Sequence, residues 1–213
     1  VLVQNRLWFN EQNESRYFLV PGLIVLVITL NGALLTTLVI AREWERGTFE
    51  ALFVTPAQVG EILLSKVLSY FGLGIFGLTL CLFAAKILFE VPFRGSLWML
   101  AGGSVLYLLV ALGLGLLIST TAKAQFVAGQ ITLTAAFVPT LMLSGFIYDV
   151  DSAPFAMRVI THLFPAHYYV ALLQTVLLAG NIWSVVLPNA AVLAGASAAL
   201  FALTRKATRK RLD

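Results

Sequence analysis

From Phe18 to Ile40 no side chain carries a charge. Four more apolar stretches follow, at about 62–88, 97–118, 126–146 and 183–203. At about 1.5 Å per residue each is long enough as a helix to cross a bilayer's hydrocarbon with some tilt. In lipid a chain must satisfy its own backbone polar groups, which leaves helices or a closed barrel. Barrel strands alternate polar and apolar residues with period two, and no stretch here does so. The chain is therefore read as an all-α polytopic membrane protein with five spans. Composition agrees, with 60% hydrophobic and 11% charged residues and a mean hydropathy of +0.92. A soluble domain carries roughly a quarter charged residues.

Lysine and arginine concentrate in cytoplasmic loops, so their placement sets orientation. With 41–61 inside, Arg42, Arg46, Lys66, Lys123, Arg205, Lys206, Arg209, Lys210 and Arg211 are cytoplasmic. Arg6, Arg16, Lys86, Arg94 and Arg158 are then exterior. The basic tail, 205–213, decides the balance and places the C-terminus in the cytoplasm. Its charges also attract anionic lipid; so short a tail implies no nucleic-acid partner. Five spans within 18–204 then put residues 1–17 outside, as the end of an exterior segment. Trp8, Phe9, Tyr17 and Phe18 suit a membrane-interface belt. An exterior start at Val1 needs an upstream anchor, so at least one earlier span is expected.

Between the first two spans lies a charged island, AREWERGTFEALFVTPAQ, residues 41–58. Ala41–Arg46 continues the first span, with Glu43 and Arg46 three residues apart and able to pair. Gly47 stops the helix, as glycine commonly does just past a C-terminus. Thr48 caps a short helix over about 48–54, and Glu50 in its first turn favours the dipole. Phe49, Leu52 and Phe53 follow i, i+3, i+4 spacing and share one face. Pro56 bars helical geometry at Thr55, then serves as the first residue of the next helix in the capping box Thr55–Gln58. Lys66 is expected to snorkel to the headgroups. Two readings of the island remain open. It is an interfacial turn lying on lipid, or a docking element offering an aromatic face to a cytoplasmic partner.

No stretch marks an enzyme. There is no GxxxxGK[ST] loop, so the chain itself cradles no ATP. The glycines of FGLGIFGL lie inside a span and read as close helix packing. Cys81 is the only cysteine, which excludes an intrachain disulfide, and reads as packing. His162 and His167, with Asp149 and Asp151, lack helical ligand spacing and read as interfacial polar residues, so no metal is expected. The first span contains Asn31, Thr36 and Thr37; the fourth contains Gln125, Gln130, Thr132, Thr134 and Thr140. There Pro139 frees a carbonyl and permits a kink. Such groups in lipid want a partner or a cavity, so they tie helices together or line a path. Neither span embeds a carboxylate, which argues against proton coupling. Ala191, Gly195 and Ala199 form a small-residue stripe on the fifth span, inviting close helix packing in this chain or with another. Residues 147–182 are apolar but interrupted by Pro154, Pro165, Gly180 and Asn181. A helix capped by Ser152 to about Leu163, and a second from Pro165 to about Ala179, read as a hairpin dipping into the outer leaflet.

The island resembles the first cytoplasmic loop of ABC-2 type permeases, the membrane subunits of ABC exporters. The likeness continues in order through WFN (Trp8–Asn10), LVPG (Leu19–Gly22), EILLSK (Glu61–Lys66), VPFRGS (Val91–Ser96), LGLLIST (Leu114–Thr120), LSGFIY (Leu143–Tyr148) and FPAHYYV (Phe164–Val170). Glu11 departs from it, standing where proline is expected. The resemblance implies five helices of a six-helix fold, with the first span and most of an exterior domain lying upstream. It implies that the island is a cytoplasmic coupling helix engaging an ATPase subunit through Glu43, Arg46, Gly47, Thr48, Phe49, Glu50, Leu52, Phe53 and Pro56. It further implies a substrate path past Asn31, Thr134, Phe137 and Thr140. The hairpin at about 152–179 would be a re-entrant exterior gate containing Phe164, Pro165, Tyr168 and Tyr169. ATP and Mg would be bound by the partner ATPase, none by this chain. A second permease, identical or a sibling, would complete the transporter in a bacterial inner membrane.

The expected function is thus a permease subunit of an ATP-driven exporter. The apolar lining favours an amphipathic drug-like or lipid-like substrate. The alternatives are an ATP-independent secondary transporter or channel, which lacks embedded ionisable groups here, and a membrane assembly or anchoring subunit. Orientation is directly testable. A cysteine placed at Asp213 is expected to resist an impermeant thiol reagent added outside intact cells; labelling there would reverse the topology.

Overall fold

The computed structural model describes residues 15–48, 59–143, 161–162 and 164–209. All of its elements are helical. Five helices are long and apolar enough to span a membrane: Leu19–Glu45, Gly60–Ile87, Leu97–Ala122, Gln125–Met142 and Trp183–Thr208. They are called spans one to five. A further helix, Pro165–Gln174, precedes span five. The five spans expected from the apolar stretches are all present. Span one runs on to Glu45 because Ala41–Glu45 contains no helix breaker and its charges extend past the apolar part.

Spans one and three are the buried centre, with two, four and five around them. Span three is buried along much of its length, from Leu100 to Thr120. Small residues set the approach distances. A Cβ on Gly32 would lie 2.7 Å from the Ala111 Cβ, and one on Gly115 would lie 2.6 Å from the Ala33 carbonyl oxygen. Gly74 of span two accommodates Leu108, and Gly77 accommodates the Asn31 amide. The close-packing reading of FGLGIFGL holds at these two glycines, while Gly72 faces open space. Leu64, Leu68, Phe76 and Phe83 on span two are exposed, an outward stripe suited to lipid.

Among the described residues three π-helical turns occur, at Leu30–Leu34 in span one, Leu133–Phe137 in span four and Thr175–Ala179 after the short helix. The first two face each other: Ala33 and Ala136 pack with Ala111 of span three in one buried cluster. A π turn lies just before Pro139, where the proline withholds an N–H.

At the end of the bundle opposite the island, Val91–Ser96 runs as extended chain against the last π turn. Arg94 N–H donates to the Leu177 carbonyl at 3.2 Å, and Ser96 N–H donates to Asn181 Oδ1 at 2.7 Å. A Cβ on Gly95 would strike the Val176 carbonyl oxygen at 2.5 Å. The helix after Pro165 is therefore fastened to the loop between spans two and three.

Gly115→Val is expected to lower stability by about 1–3 kcal/mol, because the new methyls meet backbone of span one. Gly102→Ala, where nothing lies within 4 Å, serves as the control. Thermal unfolding of the purified protein in detergent compares them.

Candidate functional site

The island end of span one is built from ordinary helix-termination chemistry. The helix closes at Glu45, and Arg46 N–H donates to the Arg42 carbonyl at 3.1 Å. Gly47 takes φ +71°, and its N–H donates to the Trp44 carbonyl at 3.1 Å. That left-handed turn is the helix stop expected of Gly47. Phe49, Glu50, Leu52, Phe53 and Pro56 lie outside the described residues, so of the docking set only Glu43, Arg46, Gly47 and Thr48 are placed.

Glu43 does not look to Arg46. Its Oε1 receives Lys66 Nζ at 2.6 Å, both side chains about three-quarters buried. This replaces two expectations at once: Glu43 pairs across to span two, and Lys66 turns inward instead of toward headgroups. The two largely buried charges satisfy each other there, and the charge-assisted bond is short. Trp44 is buried in the main apolar cluster with Lys123 Nζ 5.2 Å from its ring centre. Glu45 Oε2 accepts the Gln125 N–H, the first of span four, at 3.1 Å. Arg42, Glu45, Arg46 and Gln125 line an open polar groove at this end.

Deeper in the bundle a second polar constellation lies among apolar side chains. Tyr107 of span three stacks on Tyr169 of the short helix, centroids 4.4 Å apart and planes 12° from parallel. The Tyr107 hydroxyl lies 2.6 Å from Thr29 Oγ1 of span one, and Tyr169 donates to Ser104 Oγ at 2.8 Å. Ser104 passes its proton to the Leu100 carbonyl at 2.7 Å, and Thr29 to that of Val25 at 2.8 Å. Lower down, Thr37 Oγ1 donates to the Gly115 carbonyl at 3.2 Å and lies 3.0 Å from Thr132 Oγ1 of span four. Thr36 Oγ1, fully buried beside it, has no hydrogen-bond partner among the described residues.

A family model for the ABC-2 family transporter protein matches residues 2–206. This chain belongs to that family. Among curated relatives, the probable multidrug ABC transporter permease YbhS of Escherichia coli K12 is 46% identical over 99% of this chain and 56% of its own length. The probable multidrug ABC transporter permease YbhR of the same organism is 28% identical over 94% of this chain and 55% of its own. The inner membrane transport permease YhhJ is 29% identical over the whole of this chain and 57% of its own. The chain thus spans little more than half the length of the curated relatives it matches. No solved structure matches it.

The ABC-2 assignment gives the remaining candidates a frame. Asn31 sits in the π turn of span one against Gly77. Thr134 is exposed on span four, Phe137 is half-buried, and Thr140 is buried and donates to the Ala136 carbonyl at 2.6 Å. Thr134 likewise donates to the Gln130 carbonyl at 2.9 Å. These four do not converge on one cavity within the described residues of this chain. Phe164 precedes the helix with Pro165 at its first turn, as the proline foretells. Tyr168 donates to the His162 carbonyl at 2.9 Å, whereas Tyr169 is fully buried in the stack. The first arm of the hairpin, 152–160, lies outside the described residues, as do Asp149 and Asp151. Ala191, Gly195 and Ala199 are exposed, and nothing lies within 4 Å of a Cβ on Gly195, so no helix among the described residues uses the stripe.

Sequence reasoning overlooked Tyr107, Ser104 and Thr29. Their only signal is that a tyrosine in mid-span needs a hydroxyl partner. Tyr107→Phe is expected to cost about 0.5–1.5 kcal/mol, the worth of one interhelical hydrogen bond in a membrane protein. Tyr107→Ala, which also leaves a cavity facing Tyr169, is expected to cost at least about 3 kcal/mol. Chemical denaturation in mixed micelles measures both; equal losses would remove the stack from the account.

Proposed function

We propose that this chain is the membrane part of a permease subunit of an ABC exporter, driven by a separate ATPase. The observation that carries the reading is the island end of span one. A membrane-length helix emerges from lipid and is fixed by Glu43 to Lys66 of span two. Gly47 then ends it in a left-handed turn, just ahead of the segment in which the i, i+3, i+4 spacing of Phe49, Leu52 and Phe53 predicts a shared apolar face. A rigid emergence followed by an abrupt break is what a lever needs. Family membership supports a cytoplasmic ABC ATPase as the lever's partner, and ATP and Mg would be bound there.

On this reading 48–54 is the coupling helix, and Arg46 and Glu50 flank it with charge for the ATPase groove. Closure of two ATPase subunits rocks two permease chains, homodimer or heterodimer, and alternates access to a path between them. Thr134, exposed on span four, and Asn31 and Phe137 within the π turns supply that path. The chain's apolar spans suit an amphipathic drug-like or lipid-like substrate, and the word multidrug in the names of two relatives points the same way. The helix after Pro165, fastened by Arg94 and Ser96, is the inner arm of a re-entrant exterior gate.

Phe49→Asp and Leu52→Asp are each expected to insert normally and to abolish transport-linked ATPase stimulation, a loss of about tenfold or more from one buried charge at the joint. The assay uses the full-length permease reconstituted with its ATPase. A cysteine at Phe49, with Cys81 replaced, is expected to cross-link to that ATPase in a nucleotide-sensitive manner. Unaltered stimulation in both variants, with no cross-link, would return the island to a turn on the membrane surface.

A further inference from the structure

Glu43, Trp44 and Glu45 are consecutive, so on a helix their side chains point about 100° apart. Each meets a different neighbour. Glu43 holds Lys66 at the start of span two, Trp44 lies beneath Lys123 at the end of span three, and Glu45 holds the first N–H of span four. We propose that these three residues form a clamp that makes the start of span four follow the coupling segment, with Glu45 and Lys123 as positioning residues. The proposal rests on the coupling role given above to 48–54.

The connection between spans three and four supports it. Lys123 closes span three in the left-handed region, at φ 54° and ψ −20°. Glycine or asparagine adopts that conformation at least cost, whereas a long side chain is disfavoured there. The lysine at this point is explained by its ammonium, which lies over the Trp44 ring, and that ring is itself locked in the apolar core. The first N–H of a helix has no partner within the helix. Ala124, at the N-cap of span four, makes no side-chain capping bond, and the carboxylate comes instead from Glu45, eighty residues earlier. A carboxylate at a helix N-terminus also meets the favourable end of the dipole. Away from this end, spans one and four meet through Ala33 with Ala136, Ala41 with Ala128, and the Thr37–Thr132 hydroxyls. Those contacts are made by small residues and one hydroxyl pair. The charged and cation–π ties are at the end where the lever attaches.

Two substitutions release the clamp while suiting the local backbone. Lys123→Asn removes the cation and favours the left-handed turn; Gln125→Pro removes the N–H at a first-turn position that tolerates proline. The full-length permease, assembled with its ATPase in lipid nanodiscs and with Cys81 replaced, carries a cysteine at Gln130 on the exposed side of span four. Its rate of maleimide modification is read with and without vanadate-trapped nucleotide. The parent is expected to change by about threefold or more, and the Lys123→Asn/Gln125→Pro double variant to lose that change. The double variant keeps its thermal midpoint and the Phe49 cross-link to the ATPase, and Lys123→Arg keeps the response. An undiminished response in the double variant, or no response in the parent, would overturn the clamp and leave docking at Phe49 standing. Loss of the Phe49 cross-link in the parent would remove the docking reading and the clamp together.

Discussion

Lipid gives backbone N–H and C=O groups no partner, and the whole structure follows from that shortage. It forces helices, and it also decides what the polar side chains do. Thr29, Thr79, Ser104, Thr132, Thr134, Thr140 and Thr204 each donate to the carbonyl four residues earlier. A hydroxyl satisfied in this way costs little in hydrocarbon, so serine and threonine enter spans without needing a path or a neighbour. Several of them also bond between helices: Thr29 and Thr140 with Tyr107, Ser104 with Tyr169, and Thr132 with Thr37, which itself donates to the Gly115 carbonyl.

Helices that cannot rely on water to drive them together need close approach instead. Gly32 and Gly115 bring spans one and three to contact at backbone distance, and Gly74 and Gly77 bring span two onto both. That closeness places Thr37 within reach of a span-three carbonyl and sets the Asn31 amide over Gly77. The buried polar groups are therefore consequences of glycine placement, and the packing would have to open for any of them to be rearranged.

What was legible in the sequence was local. Five apolar stretches became five helices, Gly47 stopped span one, and Pro165 began the helix before span five, because each depends on a few adjacent residues. The pairs that cross the chain were not legible. Nothing near Glu43 indicates that Lys66, twenty-three residues on, is a better partner than Arg46. Tyr107 and Tyr169 stack only because span three and the short helix both turn a face inward. Thr134 and Thr140 looked alike as polar residues in an apolar helix, yet one is exposed and the other buried. The rotation of span four decides that, and its apolar pattern is too uniform to announce it. The π turns left no sequence mark of their own except near Pro139.

The polar bonds and the small residues divide the bundle along its length. At the island end, charged and cation–π contacts bind spans one, two, three and four, and such contacts have definite directions. At the middle, two π turns meet through alanines, a surface with little shape to hold a register. At the far end, Arg94, Ser96 and Asn181 again fix one segment to another by hydrogen bonds. A π turn stores one extra residue that a helix can redistribute between neighbouring turns. A transporter of the kind proposed needs stiffness where force enters and where its exterior gate is anchored, with compliance between them. The two facing π turns lie between ends held by charged and hydrogen-bonded ties, an arrangement that meets that need.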